Sequence, residues 1–293
     1  MTESIRLFRG PFGHVSLLNV GGNLVTHAHP EAHIVIWLAG APGRMTVGER
    51  TIRPERGMAI GINSFEPHNH VFSEGEVPGQ FLAFYIDMDW LRSRRGLPVG
   101  ADAFHCPDIP LDGWMAANIE ALTSRLMSID EDYDLIAYEL ERFIDHVLDT
   151  AEATRPKNRA CRGALTGRDY RIRKAIALME ANVGERICFD QVARSVGLSR
   201  PHFFARFKEQ MGVTPNVYWN TLRIAEALRC LQSTDETLIT VACHLGFSTQ
   251  GNFSRFFREH TGVPPTVYRS AANEGPRPLT DDAGGRLPAA YCR

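Results

Sequence analysis

Long apolar runs are missing from this chain of 293 residues, and none approaches the roughly 20 apolar residues a helix needs to cross a bilayer. The first ten residues, MTESIRLFRG, have neither the basic start nor the apolar core of a secretory signal. The six cysteines (Cys106, Cys161, Cys188, Cys230, Cys243 and Cys292) contain no Cys-x-x-Cys pair, which argues against a zinc knuckle and against a disulfide frame. Net charge is also small, −2 overall. These absences predict reduced thiols, a cytoplasmic location, no membrane partner and, at this length, two soluble domains.

The near-zero total hides an asymmetry. Residues 1–150 hold 11 basic against 21 acidic residues, a net near −10, whereas residues 155–270 hold 18 against 9, a net near +9. A basic C-terminal half has the electrostatic footprint of a nucleic-acid binder, and an acidic N-terminal half avoids one.

Within the basic half a pattern occurs twice. Phe189 to Tyr218 reads FDQVARSVGLSRPHFFARFKEQMGVTPNVY, and Thr237 to Arg269 reads TLITVACHLGFSTQGNFSRFFREHTGVPPTVYR. Val192, Ala193 and Gly197 correspond to Val241, Ala242 and Gly246; Phe203 and Phe207 correspond to Phe253 and Phe257. Each copy predicts a short helix, a turn at a glycine free to adopt a left-handed backbone, and a second helix with aromatics behind and polar groups in front. Ser248 or Thr249 is positioned to cap the second helix of the later copy, and a Pro-marked stop follows it. Between the copies, Pro215 to Leu231 reads as one long helix, which would hold two major-groove readers at a fixed separation. A helix from Arg171 to Glu180 precedes them.

The acidic half opens with short apolar runs, Val15–Val20, His33–Leu38, Met58–Ile62 and Phe81–Ile86, separated by Gly, Pro and Asn. That spacing predicts a small antiparallel barrel or sandwich. Inside it lie His27-x-His29-x3-His33 and, further on, Asn63-Ser-Phe-Glu66-Pro-His68. On a strand His27 and His29 point the same way, and a partner strand can bring His68 beside them. Four imidazoles suit zinc, iron, copper or nickel; equally, His27, His29, His33 and His68 can line a polar ligand pocket, with Trp37, Asn63 and Glu66 completing it. No metal is assigned with certainty, and His14 and His70 are expected at the surface.

The two histidine segments resemble the paired signatures of cupin barrels, with the acid position taken by His33 and Glu31 close by. With the tandem repeat, the chain resembles the AraC/XylS family of bacterial transcription regulators. The resemblance implies an α+β multidomain protein: an N-terminal cupin-like β-barrel with a helical pair, and a C-terminal all-α domain with two helix-turn-helix motifs. It implies a small-molecule effector in the barrel, double-stranded DNA as partner, homodimerisation, RNA polymerase contact in an activator, and no enzymatic activity. The competing expectation is a metal-dependent cupin enzyme, or a metal sensor, joined to a DNA-binding region.

From Leu111 to Thr150 the period becomes helical. Met115, Ile119, Leu122, Leu126 and Ile129 form one stripe, and Ile136, Leu140, Phe143 and Val147 another, suited to a dimer seam or to covering the barrel. The expected organisation is therefore a barrel over 1–100, a helical segment over 101–150 and a basic linker over 151–167. A DNA-binding domain over 168–272 and a disordered tail over 273–293 follow. The expected DNA-facing residues of the first reader are Arg200, Pro201, His202, Phe204, Ala205, Arg206 and Lys208. Those of the second are Gln250, Gly251, Asn252, Ser254, Arg255 and Arg258. Most members of the resembled family carry an Arg where this chain has Ala205, so thymine-methyl contact replaces a bidentate guanine contact there. Gln250 suits adenine and Arg255 guanine, while Lys208 and Arg258 suit phosphates.

Overall fold

The computed structural model describes residues 3–98, 101–128, 132–154, 169–185 and 187–274. Strands β1 (Glu3–Gly10), β2 (Gly13–Val20), β9 (Gly79–Ile86), β4 (Ala32–Ala39), β7 (Met58–Ile62) and β10 (Asp108–Pro110) form one antiparallel sheet in that order. Strands β3 (Leu24–His27), β8 (His68–Val71), β5 (Arg44–Val47) and β6 (Arg50–Ile52) form a second. All four apolar runs read from the sequence are strands. The pleat then decides which side chains meet. In β4 and β9, Ile34, Ile36, Leu82, Phe84 and Ile86 join the helix-covered core. Their neighbours His33, Val35, Trp37, Phe81, Ala83 and Tyr85 take the opposite face, toward the second sheet. A slip of one residue would turn the histidine out and an isoleucine in.

Three helices cover the outer face: α1 (Met88–Arg95), α2 (Gly113–Met127) and α3 (Tyr133–Ala153). Aspartates cap all three, Asp87, Asp112 and Asp132, each accepting from amides of the first turn. The stripes Met115–Ile119–Leu122–Leu126 and Ile136–Leu140–Phe143–Val147 are buried against the chain's own sheet, with Phe84 and Phe143 stacked, their centroids 5.4 Å apart. These residues therefore close a core inside one chain, which removes them from a dimer seam; Ile129 lies outside the described residues.

The repeat is also present as read. After α4 (Tyr170–Glu180), the first copy comprises α5 (Phe189–Ser195) and α6 (Arg200–Met211). A long α7 (Pro215–Ser233) leads to the second copy, α8 (Leu238–His244) and α9 (Gln250–Thr261). Gly197 and Gly246 occupy the same left-handed conformation at the two turns, both with φ 71°. Phe203, Phe207, Phe253 and Phe257 are fully buried. The second helix stops as read, at Thr261 before Gly262 and Pro264, and past Pro264 the chain enters one more helix. This is α10 (Pro265–Glu274), which packs on β1 and buries Leu7 in one cluster with Tyr268, Ala271 and Ala272. Of the expected linker, residues 151–153 belong to α3 and residues 155–167 lie outside the described residues. Of the expected tail, Asn273 and Glu274 end α10 and the rest lies outside them too. No helix among the described residues is long and apolar enough to cross a membrane.

Candidate nucleic-acid interface and histidine-lined cavity

The two reading helices are presented differently. Along α6, Arg200, Pro201, His202, Ala205, Arg206 and Lys208 are exposed, but Arg200 is paired with Asp190 at 3.0 Å and Arg206 with Glu209 at 3.4 Å. Phe204, expected to face outward, is half-buried: its ring meets Phe189 at 5.6 Å and Phe203 at 5.8 Å, with the Arg200 guanidinium over it at 5.3 Å. Aromatic contact with the helix behind wins over exposure because the ring loses apolar area to water otherwise. Along α9, Gln250, Gly251, Asn252, Arg255 and Arg258 are exposed and Ser254 is half-buried. Among the described residues neither Arg255 nor Arg258 enters an ion pair. The Thr249 hydroxyl caps α9, accepting the Asn252 amide at 3.1 Å, while the Asn252 side chain donates to the Ser248 hydroxyl at 3.0 Å. Asn252 is thus spent on the turn.

Arg223 of α7 fixes the second copy to the long helix. Its guanidinium lies 3.7 Å from the Phe247 centroid and donates to the Leu245 carbonyl at 2.8 and 3.1 Å. Burial lowers its pKa to about 10, which leaves the cation charged and held by carbonyl and ring.

The barrel interior encloses a small cavity of about 50 Å³. Its polar wall is His27, His29, His33, His68 and His70 with Asn69 and Tyr85; Trp37, Asn63 and Glu66 do not line it. The Glu66 carboxylate instead accepts from the Asn63 backbone at 3.0 Å and its side-chain amide at 3.1 Å, closing their own turn. Trp37 packs in the neighbouring apolar cluster with its indole N–H buried and unpartnered. Glu31 contributes only its carbonyl, which accepts from His33 Nδ1–H at 3.1 Å. The pairing of β3 with β8 sets His27 directly opposite His68, as the sequence led one to expect. His29, however, lies beyond the end of β3 and reaches the cluster from a loop. His14 and His70 are buried rather than exposed: His14 stacks on Tyr85 at 4.3 Å, and His70 Nε2–H donates to the Pro42 carbonyl at 2.8 Å.

Hydrogen bonds set the histidine tautomers. His27 Nδ1–H donates to the Val25 carbonyl at 2.6 Å and His68 Nδ1–H to the Glu66 carbonyl at 2.9 Å. A carbonyl can only accept, so these rings, like His33, keep their lone pairs on Nε2. Desolvation holds all of them neutral, with like-charge repulsion adding to it: His33 and His68 are pushed down to about 3, and His27 and His29 well below the usual histidine range. One ring nitrogen from each of His27, His29 and His68 lies within 4.8 Å of the other two. Three neutral imidazoles, two oriented by backbone carbonyls, are a donor set that fits a transition-metal ion.

Sequence reading missed one wall of the cavity. His260 and Thr261, from the last turn of α9, line it, and the His260 ring centroid is 6.3 Å from that of His27. Nothing in the local sequence marks His260, because only the docking of α9 on β3 brings it there. The same junction is held at two further points. The Thr221 hydroxyl of α7 contacts the Ala28 carbonyl at 2.9 Å, and Phe65 stacks on Tyr218 at 5.1 Å. Phe65, with φ 56°, is the non-glycine residue in a left-handed conformation among those described, and its N–H donates to the His29 carbonyl at 2.7 Å.

Comparison with known proteins places the C-terminal region. A helix-turn-helix domain family matches residues 192–271. The regulator GbdR of Pseudomonas aeruginosa is 35% identical over 99 residues, 34% of this chain and 27% of its own length, so the chain spans about a quarter of that relative. A solved AraC-type DNA-binding domain-containing regulator from Chromobacterium violaceum is 32% identical, covering 35% of this chain and 91% of that one, with a TM-score of 0.33. ToxT of Vibrio cholerae matches 93% of this chain and 97% of its own at 12% identity, with a TM-score of 0.51, a likeness of fold.

Proposed function

We propose, on the premise that residues 192–271 form a helix-turn-helix domain of the AraC/XylS type, that the chain is a sequence-specific DNA-binding transcription regulator controlled by a ligand in its barrel. The observation that carries this reading is the pair of exposed reading helices, α6 and α9, joined through the single helix α7. In this reading Gln250, Ser254 and Arg255 meet base edges and Lys208 and Arg258 meet phosphates. Pro201 and Ala205 offer apolar contact in the first groove, flanked by Arg200, His202 and Arg206, while Phe204, Gly251 and Asn252 shape the helices that enter. Control follows from the junction: a ligand that favours the docked pose over others shifts the population of readers by that difference in affinity. Homodimerisation would use the exposed outer face of α3, where Leu135 and Tyr138 stand free, and an activator would contact RNA polymerase.

An enzymatic cupin is the second reading, favoured by the histidine cluster. Against it, His260 and Thr261 of the second reading helix form one wall of the histidine cavity, which ties the cavity to that helix. Selection of bound duplexes from a random DNA pool tests the regulator. A recovered consensus with two segments about one helical turn apart is expected; a pool that stays random contradicts it.

A further inference from the structure

The barrel histidines and the second reading helix meet in one cavity, and that juxtaposition has a chemistry. We propose that the cavity is a site for a divalent first-row transition-metal ion, held by His27, His29 and His68, with His260 of α9 as a ligand supplied across the junction. The ion then ties the second reader to the barrel. The proposal rests on the regulator reading only where it concerns DNA.

Four features of the cavity converge. Ring nitrogens of His27, His29 and His68 already lie within 4.8 Å of one another, so a small inward shift brings them to the roughly 3.3–4.2 Å between two ligands that each stand about 2.0–2.1 Å from one ion. His27, His68 and His260 each donate Nδ1–H to a backbone carbonyl, the last to Phe256 at 2.7 Å, so each presents an Nε2 lone pair. Most of the polar wall thus offers acceptors, with the Tyr85 hydroxyl as a donor among them, and gathered acceptors are stabilised by a cation. His33 Nε2 and His29 Nδ1 are buried with no hydrogen-bond partner, in residues only 3% and 5% exposed. Such orphaned atoms in a native interior call for an ion or a water. The volume, about 50 Å³, is more than a single ion needs and leaves room for bound water beside it. The donors are nitrogen without carboxylate, which selects zinc, cobalt, nickel or copper and disfavours magnesium and calcium.

The ligand segment is also where the two regions are fastened. The Ala28 carbonyl, between two of the histidines, is met by Thr221 of α7, and the His29 carbonyl accepts from Phe65, whose ring stacks on Tyr218 of α7. A change in how His27 and His29 sit is thus felt by α7 directly and by α9 through His260. The second helix reads outward with Gln250 and Arg255 at one end and holds the ion with His260 at the other.

The test uses the full chain, stripped of metal by a chelator, dialysed, and titrated with cobalt(II), whose visible absorption reports coordination, and with zinc(II) against a chromophoric chelator. One ion per chain is expected. His29→Ala and His68→Ala should each weaken binding at least about 100-fold, with His29→Gln as a second variant if the alanine form fails to melt cooperatively. His260→Ala should still take one ion, about 10-fold more weakly, with an altered cobalt band. No stoichiometric ion in the unaltered chain, or equal binding by the His29 and His68 variants, overturns the site. An unchanged affinity and cobalt band in His260→Ala overturns the shared ligand. DNA affinity is measured separately: a chain that binds one ion but no DNA keeps the site and loses the regulator reading.

Discussion

The two helix-turn-helix copies share a core and differ in what surrounds it. Phe207 and Phe257 fill equivalent positions and are both fully buried, and Gly197 and Gly246 turn the chain at the same φ. Yet α6 begins at Ser199 with no side-chain cap, has Arg200 and Arg206 in ion pairs, and folds Phe204 back onto its own hairpin. In contrast, α9 is capped by Thr249, leaves Arg255 and Arg258 out of any ion pair among the described residues, and sends His260 into the barrel. In the proposed function a duplicated scaffold divides its labour: the first copy would supply shape, and the second polar base reading, while the second also lines the histidine cavity.

Substitutions can break that comparison or sharpen it. The largest effects test the shared core: Phe207→Ala and Phe257→Ala should each destabilise the chain by about 3–5 kcal/mol in urea unfolding. A difference of more than about 2 kcal/mol between them would show that the copies are not equivalent scaffolds. Next comes base reading. Arg255→Ala should cost about 1–3 kcal/mol at one base position of a selected site, whereas Arg206→Ala should act evenly across sequences; the reverse result would exchange the roles of the two helices. Smaller still is the cap. Thr249→Ala should cost about 1 kcal/mol of stability and Ser199→Ala much less, because only Thr249 makes the bond. Equal losses from the two would contradict the asymmetry seen at the helix starts.

The barrel adds a pH dependence of its own. His14, His33 and His68 are held neutral by burial, with folded pKa values near 3 against 6.5 for the free side chain. The unfolded chain therefore binds more protons than the folded one between those values, and stability rises with pH there. Stability is complete above about pH 6.5 and is lost as pH falls, by up to about 1.4 kcal/mol per pH unit for each such histidine. Melting of the metal-free chain at pH 7.5 and 5.5 checks this; an unchanged midpoint would mean that the histidines are hydrated.

What could be read from the sequence follows the range of the forces involved. The repeat was legible because Phe203, Phe207, Phe253 and Phe257 recur at helical spacing, a local period. The strands around His33–Leu38 and Phe81–Ile86 were legible from apolar runs bounded by glycine and proline, and the stripes of α2 and α3 from their steps of three and four. The facing of His27 and His68 followed from alternation and one guessed pairing. Local pattern does not encode which surfaces dock. Hence Pro264-Pro265 marked the end of α9, but nothing there announced α10, which begins at Pro265 and covers β1. In the same way His14 and His70 read as surface residues although aromatic neighbours bury them, and His260 carried no signal at all. Trp37, Asn63 and Glu66 were placed in the pocket by proximity in sequence. The Asn63–Glu66 hydrogen bonds show a local turn satisfying itself instead.

In the proposed function, this chain reads DNA sequence through two helices of unequal chemistry. The most direct measurement is the affinity of the full chain for a selected duplex and for a scrambled duplex of equal length, at one fixed salt concentration. A preference of at least about 10³ for the selected duplex is expected, largely lost at one base position in Arg255→Ala. Equal affinity for the two duplexes would contradict it.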